Sequence, residues 1–582
     1  MKAKSYTSTG LWDEIIQFAA WDTETKGLGG ELLAVSAFVD GESYYYTGST
    51  MADQFIALFF SRPYPYVWYA HHAQYDWRYV IPRLVELGHE VQLSCRTDTD
   101  IYQVVVRRKG EKGKWVMRDS LALLDMKLEE LLAKFTPELP KLELDLEHVT
   151  FDPANPAHEA YARRDSEGLA TALPRVDSLL REHFGVGVGH TAAGTSVKAW
   201  RATIPPGVHH NGSKYGEREL FVRQAYYGGL VFLTRSDIIE GEPGARTYDR
   251  NSSYPAVMMQ QGVPSGRMLY SREYRSGLMG IYRVRVKTPD DLVVPILPCR
   301  DNRGSMRWRR GTFDTVVTSS EVIFAANHGY KILRVYEGFA WEERIFPFDE
   351  FVAKCRDIRK EYKGLPLEFW AKLLQNSLYG RFGSRRERLR IFHPESDLEI
   401  AGAVPLEQLD YFWMRKELDK EILCRPEWAV FITAHARLAL LQPVYTIGPE
   451  NVIYGDTDSI TVLAGKEKGI DVGSEYGQWK LEKEWRSFRA LGPKLYTGQL
   501  LTGERRGSAK GLARKAMDDA KWKQLLETGS VQTQALSLAS LRVGLAKGLE
   551  PARVLPRKSS RLENSGNWER YKGVRIRPKM AA

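Results

Sequence analysis

Tyr454-Gly455-Asp456-Thr457-Asp458-Ser459-Ile460 is the stretch from which the fold of this chain can be read. It lies between two apolar, β-branched runs, Val452-Ile453 and Ile460-Thr461-Val462, and so predicts two short strands with the acidic residues at the turn between them. Two carboxylates at a tight turn repel each other, and repulsion with partial burial raises one pKa unless a cation intervenes. A divalent metal is the natural partner of such a pair. A solvated acidic hairpin has the same local pattern, and an Asp-x-Asp alone does not separate the two. The rest of the chain does.

A chain of 582 residues is too long for one core and predicts three or more domains. Its 43% hydrophobic and 27% charged residues are ordinary for a soluble globular protein. No apolar run approaches membrane-spanning length, and Met1 to Thr7 lacks the apolar core of a signal peptide. The four cysteines, Cys95, Cys299, Cys355 and Cys424, lie far apart and form no Cys-x-x-Cys. That argues against a disulfide framework or a zinc site and fits a reducing cytoplasm. The net charge is +10, and residues 501–582 hold 18 Lys and Arg against 7 Asp and Glu, a net of +11. A basic C-terminal module on a near-neutral body suggests contact with a polyanion, though a basic tail kept for solubility has the same charge.

Residues 15–21 read as a buried strand followed by Asp22-Thr23-Glu24-Thr25. Residues two apart on an extended chain share a face, so Asp22 and Glu24 point the same way. A second apolar run, Leu32 to Val39, can pair with the first. Tyr66 to Ala70 reads as another strand, ahead of His71-His72-Ala73-Gln74-Tyr75-Asp76. Further on, Tyr161 and Asp165 are four apart in a helical pattern and share a helix face. These three motifs, in this order, resemble those of the 3′–5′ proofreading exonucleases of DNA polymerases. The resemblance implies that Asp22, Glu24, Asp76 and Asp165 hold two metal ions about 4 Å apart, with Tyr161 orienting the attacking water. It further implies that Thr25, Tyr69, Tyr75, Ser120 and Leu121 hold a single-stranded 3′ end. His72 stands where that family usually has Asn, which predicts an altered grip on DNA with the chemistry kept.

Residues 185–190, Gly-Val-Gly-Val-Gly-His, have no strand–helix unit around them and read as a flexible linker, the boundary of a first domain. Tyr226-Tyr227-Gly228-Gly229 resembles the Tyr-x-Gly-Gly motif at which a polymerase backbone approaches its template; Tyr226, Gly228 and Gly229 carry the match. Asp249-Arg250-Asn251-Ser252-Ser253-Tyr254-Pro255 resembles motif A of family B DNA polymerases, with Ser253 in place of the usual Leu. The resemblance makes Asp249 a metal ligand at a strand end and Ser252 a DNA contact. It places Tyr254 under the incoming sugar, where a 2′-OH would clash.

Residues 351–363 form a charged, helix-compatible run that Gly364 and Pro366 break, and a second helix starts near Leu367. On it Lys372, Asn376 and Tyr379 fall on one face above Gly380, expected as a helix stop. The stretch matches motif B, which implies that Lys372 and Lys360 hold a triphosphate, with Asn376 and Tyr379 beside the nascent base pair. The acidic hairpin is then motif C, with Asp249 and Asp458 as the main metal ligands and Asp456 beside them. Lys494 and Tyr496 resemble the Lys-x-Tyr motif that holds a primer end.

The chain is therefore similar to family B DNA polymerases. The fold implied is an α/β multidomain protein, an RNase H-like 3′–5′ exonuclease domain plus a right-hand polymerase with two insertions. Asp22 near the start leaves no room for the extra N-terminal domain of longer members. The gap from Asn376 to Asp456 is 80 residues and the stretch 261–350 is also large, and both insertions mark the protein-primed type. The expected division is exonuclease 1–190, palm 191–260 and 426–500, first insertion 261–350 against a terminal protein or DNA, fingers 351–381, second insertion 382–425 around DNA, and thumb with basic tail 501–582. The implied cofactor is Mg²⁺, two ions per active site, with Mn²⁺ able to substitute. The implied partners are primer-template DNA, single-stranded DNA, dNTPs and a terminal protein as primer, for a monomer that meets no membrane. A family B enzyme that extends nucleic-acid primers or primes itself is the alternative. A non-catalytic DNA-binding replication protein is a further one, against which the intact carboxylates stand.

Overall fold

The computed structural model describes residues 4–6, 12–97, 100–108, 110–144, 149–204, 218–384, 387–392, 404–405, 413–418, 424–510, 517–528, 530–533, 536–538, 554–556, 560–563 and 574–575. The chain is an α/β multidomain protein. It divides into two compact units, one of residues 1–210, 353–422 and 536–556, the other of 211–352, 423–535 and 557–582.

The first unit is built on the strand Gln17–Thr25. It pairs in parallel with Tyr66–Ala70, which pairs in parallel with Trp115–Asp119. Parallel strands are covered on both faces and need near-continuous apolar runs, and Ala19, Ala20, Trp21, Val67, Trp68 and Ala70 are all buried. Leu32–Val39 and Glu42–Thr47 extend the sheet as an antiparallel meander. Ala19 and Trp21 belong to an aromatic core, where the Trp21 ring stacks on Phe55 at 4.5 Å and Phe55 meets Trp68 edge-on at 5.7 Å. The two-residue period then turns Asp22 and Glu24 to the opposite face, the side on which Ser36 Oγ donates to Ala162 O of the helix Pro156–Phe184.

On its far side the same sheet continues through Glu90–Thr97 and Asp100–Arg107. Two strands of the expected second insertion add to it. Glu387–Phe392 pairs with the edge of Glu90–Thr97, Arg390 opposite Ser94, and Trp413–Leu418 pairs outside that. Residues 393–403, 406–412 and 419–423 lie outside the described residues, as does most of the expected thumb and tail beyond 510.

Residues 185–190 are a packed turn, not the flexible linker expected. Gly185 ends the long helix at φ 70°, the left-handed cap glycine permits. Val186 and Val188 are buried, Val188 N donates to Asp177 Oδ1 at 2.7 Å, and Gly189 N donates to Thr195 Oγ1 at 2.9 Å. Gly189 serves close packing: a Cβ there would lie 2.7 Å from Thr195 N. The helix Pro366–Phe382 begins one residue earlier than the sequence suggested, because proline at the first helical position lacks only an N–H that has no partner there. Gly380 lies inside that helix and does not stop it.

The second unit contains a sheet in the order 505–509, 495–500, 479–492, 239–250, 459–463, 452–456, 231–233, 574–575, antiparallel except for its last pair. The strand Ile239–Arg250 runs between Trp479–Gly492 and Ser459–Leu463. The region 261–350 folds around a four-stranded sheet, in the order 263–271, 331–345, 279–287, 312–318, with the helix Ser319–Asn327 capped by a Thr318–Glu321 capping box. The helix Pro426–Ile447 is buried along most of its length. Its Arg437 pairs with Glu321 at 2.7 Å, both side chains almost fully buried.

Candidate active sites

Four carboxylates converge in the first unit. Asp22 and Glu24 come from one face of the strand Gln17–Thr25, Asp76 from the N-cap of the helix Trp77–Glu86, and Asp165 from the helix Pro156–Phe184. Thr23 fixes Asp76, whose Oδ1 accepts from Thr23 N at 3.0 Å and Thr23 Oγ1 at 2.6 Å. Burial raises Asp22 well above the carboxylate range, and Asp76, Glu24 and Asp165 add repulsion. Burial and then Asp165 push Glu24 up to about 8. Burial lifts Asp76 to about 7 against the Thr23 hydrogen bonds. Asp165 is also raised by burial, against the pull of Lys141.

Lys141 was not singled out by any motif. Its Nζ forms an ion pair with Asp165 Oδ2 and lies 5.1 Å from the centre of the Tyr161 ring. Burial pulls its pKa down, but Asp165, Tyr161 and Asp22 outweigh burial and hold the ammonium above its usual range. Sequence reasoning missed it because Pro-Lys-Leu at 140–142 has no periodicity to tie it to carboxylates on distant elements.

Beside this cluster a cavity of 660 Å³ is lined by Thr23, Glu24, Thr25, Lys26, Tyr75 and Phe151 among others. Thr25 Oγ1 and the Tyr75 hydroxyl share a short hydrogen bond, and Thr25 Oγ1 also donates to Gly27 O at 2.8 Å. Ser120 Oγ donates to Ala70 O at 3.1 Å and meets His71 Nδ1 at 3.0 Å. Leu121 N and His72 N both donate to Asp119 Oδ1, at 2.9 and 3.0 Å. His72 takes φ 63°, a left-handed conformation that Asn, Asp and His adopt more readily than other side chains. That backbone demand accounts for a His at a position where the resembling family has Asn. Tyr69 is buried on the strand Tyr66–Ala70.

The acidic hairpin of the second unit consists of Val452–Asp456 and Ser459–Leu463, as the β-branched runs predict. Its turn is tight: Asp458 N donates to Asp456 O at 2.6 Å, and Thr457 between them takes φ 62°. Asp249, opposite Ser459 in the strand register, joins the two turn aspartates. Arg250 N donates to Asp458 O at 2.8 Å, which ties the two strands at the site. Lys494 Nζ reaches both oxygens of Asp456 at 2.9 Å, and the Tyr454 hydroxyl donates to Asp456 Oδ2 at 3.3 Å. Asp456 is thus committed to protein partners. Burial, then Asp249, then Asp456 raise Asp458 to about 6.

The neighbouring motif residues collect around this turn. A Cβ on Gly229 would sit 2.7 Å from Thr457 Oγ1, and one on Gly455 2.3 Å from the Phe232 ring, so glycine lets three backbones meet here. Tyr226 and Gly228 flank this segment in sequence, and Tyr226 packs against the core that contains Phe221 and Val222. Ser252 takes φ 45° ahead of the helix Ser253–Gln261, which carries Tyr254 in its first turn. Ser253 accepts from the buried Arg250 guanidinium through its carbonyl at 3.1 Å and Oγ at 3.2 Å, a partner that Leu would not offer from its side chain. Tyr496 packs on Tyr454 at 5.4 Å and borders a 480 Å³ cavity with Arg505, Arg506 and Lys510. Lys360, Lys372, Asn376 and Tyr379 lie on the helices Asp349–Glu361 and Pro366–Phe382, in the first unit.

Among the described residues, no three His, Cys, Asp or Glu side chains close on a single point as a metal-binding group. Thr23 and Lys141 hold two of the four carboxylates of the first site and Lys494 holds Asp456. The donor chemistry still suits a hard divalent cation. The sites offer only carboxylates, several held above their ordinary pKa by burial and repulsion, and Asp165 Oδ1 is buried without a hydrogen-bond partner.

The chain matches the family model described as DNA polymerase type B, organellar and viral, over residues 175–401. It is 30% identical over 306 residues to a "Probable DNA polymerase" of Neurospora intermedia, covering 48% of this chain and 31% of that one. A second fungal relative, from Agaricus bitorquis, is matched over 40% of its length, so the chain spans about a third of these relatives. With the DNA polymerase of Bacillus phage M2 the identity is 25% over 490 residues, 76% of this chain and 80% of that one. The fold is similar to the phi29 DNA polymerase complexed with primer-template DNA and incoming nucleotides, at a TM-score of 0.71 with 19% identity, over 93% of this chain and 98% of that one. A phi29 polymerase complexed with single-stranded DNA matches at a TM-score of 0.67 with 19% identity, over 90% and 97% of the two chains.

Proposed function

We propose that this chain, which is similar to the organellar and viral type B DNA polymerases, is a DNA-directed DNA polymerase with a 3′–5′ proofreading exonuclease. One observation carries the reading. Two carboxylate clusters, Asp22/Glu24/Asp76/Asp165 and Asp249/Asp456/Asp458, are each assembled from separate elements and each contain carboxyls held above their ordinary pKa. Burying like charges costs stability, and such costs cluster at functional sites.

In the polymerase site Asp249 and Asp458 would hold Mg²⁺, or Mn²⁺ in its place. A bound pair of ions lowers the pKa of the attacking hydroxyl and neutralises charge on the phosphates. The chain's own residues do the rest. Lys494 neutralises Asp456. The bonds from Arg250 N to Asp458 O and from Thr457 N to Leu230 O fix the turn before any substrate arrives. Tyr254 is proposed to exclude a 2′-OH. The nucleotide-binding roles of Lys360, Lys372, Asn376 and Tyr379 rest on the motif alone.

In the exonuclease site Asp22, Glu24, Asp76 and Asp165 would hold the ions. Tyr161 orients the water, and Lys141 offers a positive charge where negative charge builds on the phosphate. Thr25, Tyr69, His72, Tyr75, Ser120 and Leu121 would grip the frayed 3′ end. In architectural terms the first unit contains an RNase H-like exonuclease domain, and the second a palm with its first insertion.

Priming by a terminal protein hydroxyl, strand-displacing synthesis on a linear viral or plasmid genome, and work as a monomer in the cytoplasm of a host cell follow from the family likeness. The test is primer extension and mismatched-primer excision by the purified chain with Mg²⁺, alongside labelled-dATP transfer to a candidate terminal protein on DNA ends. Absence of template-directed extension would overturn the central reading. Extension without transfer to protein would favour an enzyme that uses nucleic-acid primers.

A further inference from the structure

Arg300 is exposed, yet its guanidinium is spent on backbone carbonyls. Nε donates to Gln224 O at 3.2 Å, Nη2 to Tyr226 O at 2.7 Å and Nη1 to Gly304 O at 2.9 Å. An exposed arginine ordinarily points into water or meets a carboxylate, so three carbonyl bonds from one fork are a built contact. The third bond braces the arginine against its own hairpin, Cys299–Arg300 paired with Met306–Arg307. That hairpin is stiff: the Asp301 carboxylate accepts from Arg303 N at 3.0 Å, Ser305 N at 2.9 Å and Arg307 Nε at 2.8 Å.

The segment held by Arg300 is the Tyr-x-Gly-Gly approach to the acidic turn. A second arginine holds it too: Arg437 donates to Tyr227 O at 2.9 Å and Gly228 O at 3.0 Å. The Tyr227 ring has the Arg300 guanidinium at 4.9 Å and the Arg437 guanidinium at 5.7 Å from its centre. Beyond this clamp Gly229 abuts Thr457, and Leu230 O accepts from Thr457 N at 2.8 Å. Five carbonyls between 224 and 230 are thus bound in succession, and the last bond is to the turn that carries Asp456 and Asp458.

We propose that Arg300 is a positioning residue for nucleotide addition: by clamping the carbonyls of Gln224 and Tyr226 it sets the backbone against which the Asp456–Asp458 turn is held. The inference rests on the polymerase reading of that turn. The two arginines differ in what their loss does. Removing Arg437 strands the buried Glu321 carboxylate and unsettles the fold. Removing Arg300 leaves carbonyls that water can reach, so the backbone shifts and the fold stays.

The test uses the full chain with Arg300→Met and Arg300→Lys, and with Arg283→Met as a neighbour whose Nη2 donates to the Gln224 side chain at 3.4 Å and whose Nε lies 3.6 Å from Glu337. Three readouts are taken: kcat and KM for adding one nucleotide to a primer-template, excision of a single strand, and the melting temperature. Arg300→Met is expected to lower kcat for addition by about ten-fold or more, since small misplacements of reacting groups are costly. Excision and melting should stay at wild-type values. The lysine variant should be intermediate, because an ammonium cannot reproduce the planar fork. Arg283→Met should leave addition unchanged. Wild-type addition by Arg300→Met overturns the proposal, and so does an equal loss in Arg283→Met, which would trace the effect to local charge. If Arg300→Met melts early and loses excision as well, the lysine variant decides, and a wild-type rate there overturns it. A wild-type chain that adds no nucleotide at all refutes the polymerase reading, an outcome distinct from these.

Discussion

Single carboxyl groups separate the two proposed activities. Asp458→Asn removes an ionisable oxygen donor from the acidic turn and leaves the four carboxylates of the first unit unchanged, so nucleotide addition should fall below detection while single-strand excision continues. Asp22→Ala with Glu24→Ala should do the reverse, and excision persisting in that purified double variant would put the exonuclease elsewhere. The raised pKa values add a pH signature. Glu24 near 8, Asp76 near 7 and Asp458 near 6 bind protons in the folded chain more tightly than in the unfolded one. Their contribution to the stability of the metal-free protein is therefore fully present below the ordinary carboxylate pKa and is lost as pH rises through these values. The melting temperature without metal should fall between about pH 5 and about pH 8, and magnesium should restore more of it at the upper end. A flat profile, or one unchanged by Asp22→Ala with Glu24→Ala, would show that these carboxyls are not strained. Much of this was legible in the sequence, because each carboxylate sits in a motif of fixed spacing. Lys141, Arg300 and Arg437 were not, since each acts on a partner brought close only by the folded chain.

Secondary elements explain which expectations survived folding. The β-branched runs around Asp456 and Asp458 form the hairpin they predict, because period and turn chemistry agree there. The glycines at 185–190 misled, since composition cannot distinguish a glycine kept for freedom from one kept because a neighbour leaves no room. Gly229 is of the second kind and gives a direct test. Gly229→Ala would put a methyl 2.7 Å from Thr457 Oγ1 and 3.0 Å from Thr457 Cγ2, so the Gly-Gly segment or the acidic turn must move. Addition should drop about ten-fold or more while excision and fold are kept. Pairing it with Thr457→Ser, which removes Cγ2, should return part of the loss. No recovery would mean that the glycine matters for something other than the turn.

At the scale of the whole molecule the question is what the long gap between motifs B and C contributes. Two of its strands, Glu387–Phe392 and Trp413–Leu418, continue the sheet of the first unit from the edge of Glu90–Thr97. No spacing in the sequence announces this, because strand addition uses backbone hydrogen bonds and is nearly blind to side chains. A polymerase without a clamp loses its template at a rate set by phosphate contacts, and salt weakens these steeply. If the 382–425 segment closes around DNA, as the family likeness suggests, release needs opening or sliding off an end, and processivity should depend less on salt than in an open cleft. Replacing residues 385–423 with a short Gly/Ser connector leaves every proposed metal-ligand carboxylate and the helix Pro366–Phe382 in place. Addition of one nucleotide and excision of single strands should survive. Product length in a trapped single-binding assay should fall, more so at higher salt, and synthesis through duplex should fall with it, because a closed path also keeps template from displaced strand. The replacement also bares the edge strand Glu90–Thr97, so the variant should be compared as a monomer by sizing, since open edges pair with other chains. If that monomeric variant adds single nucleotides normally and still makes full-length products through duplex at all salt concentrations, the segment is a surface addition to the sheet and has no part in holding DNA.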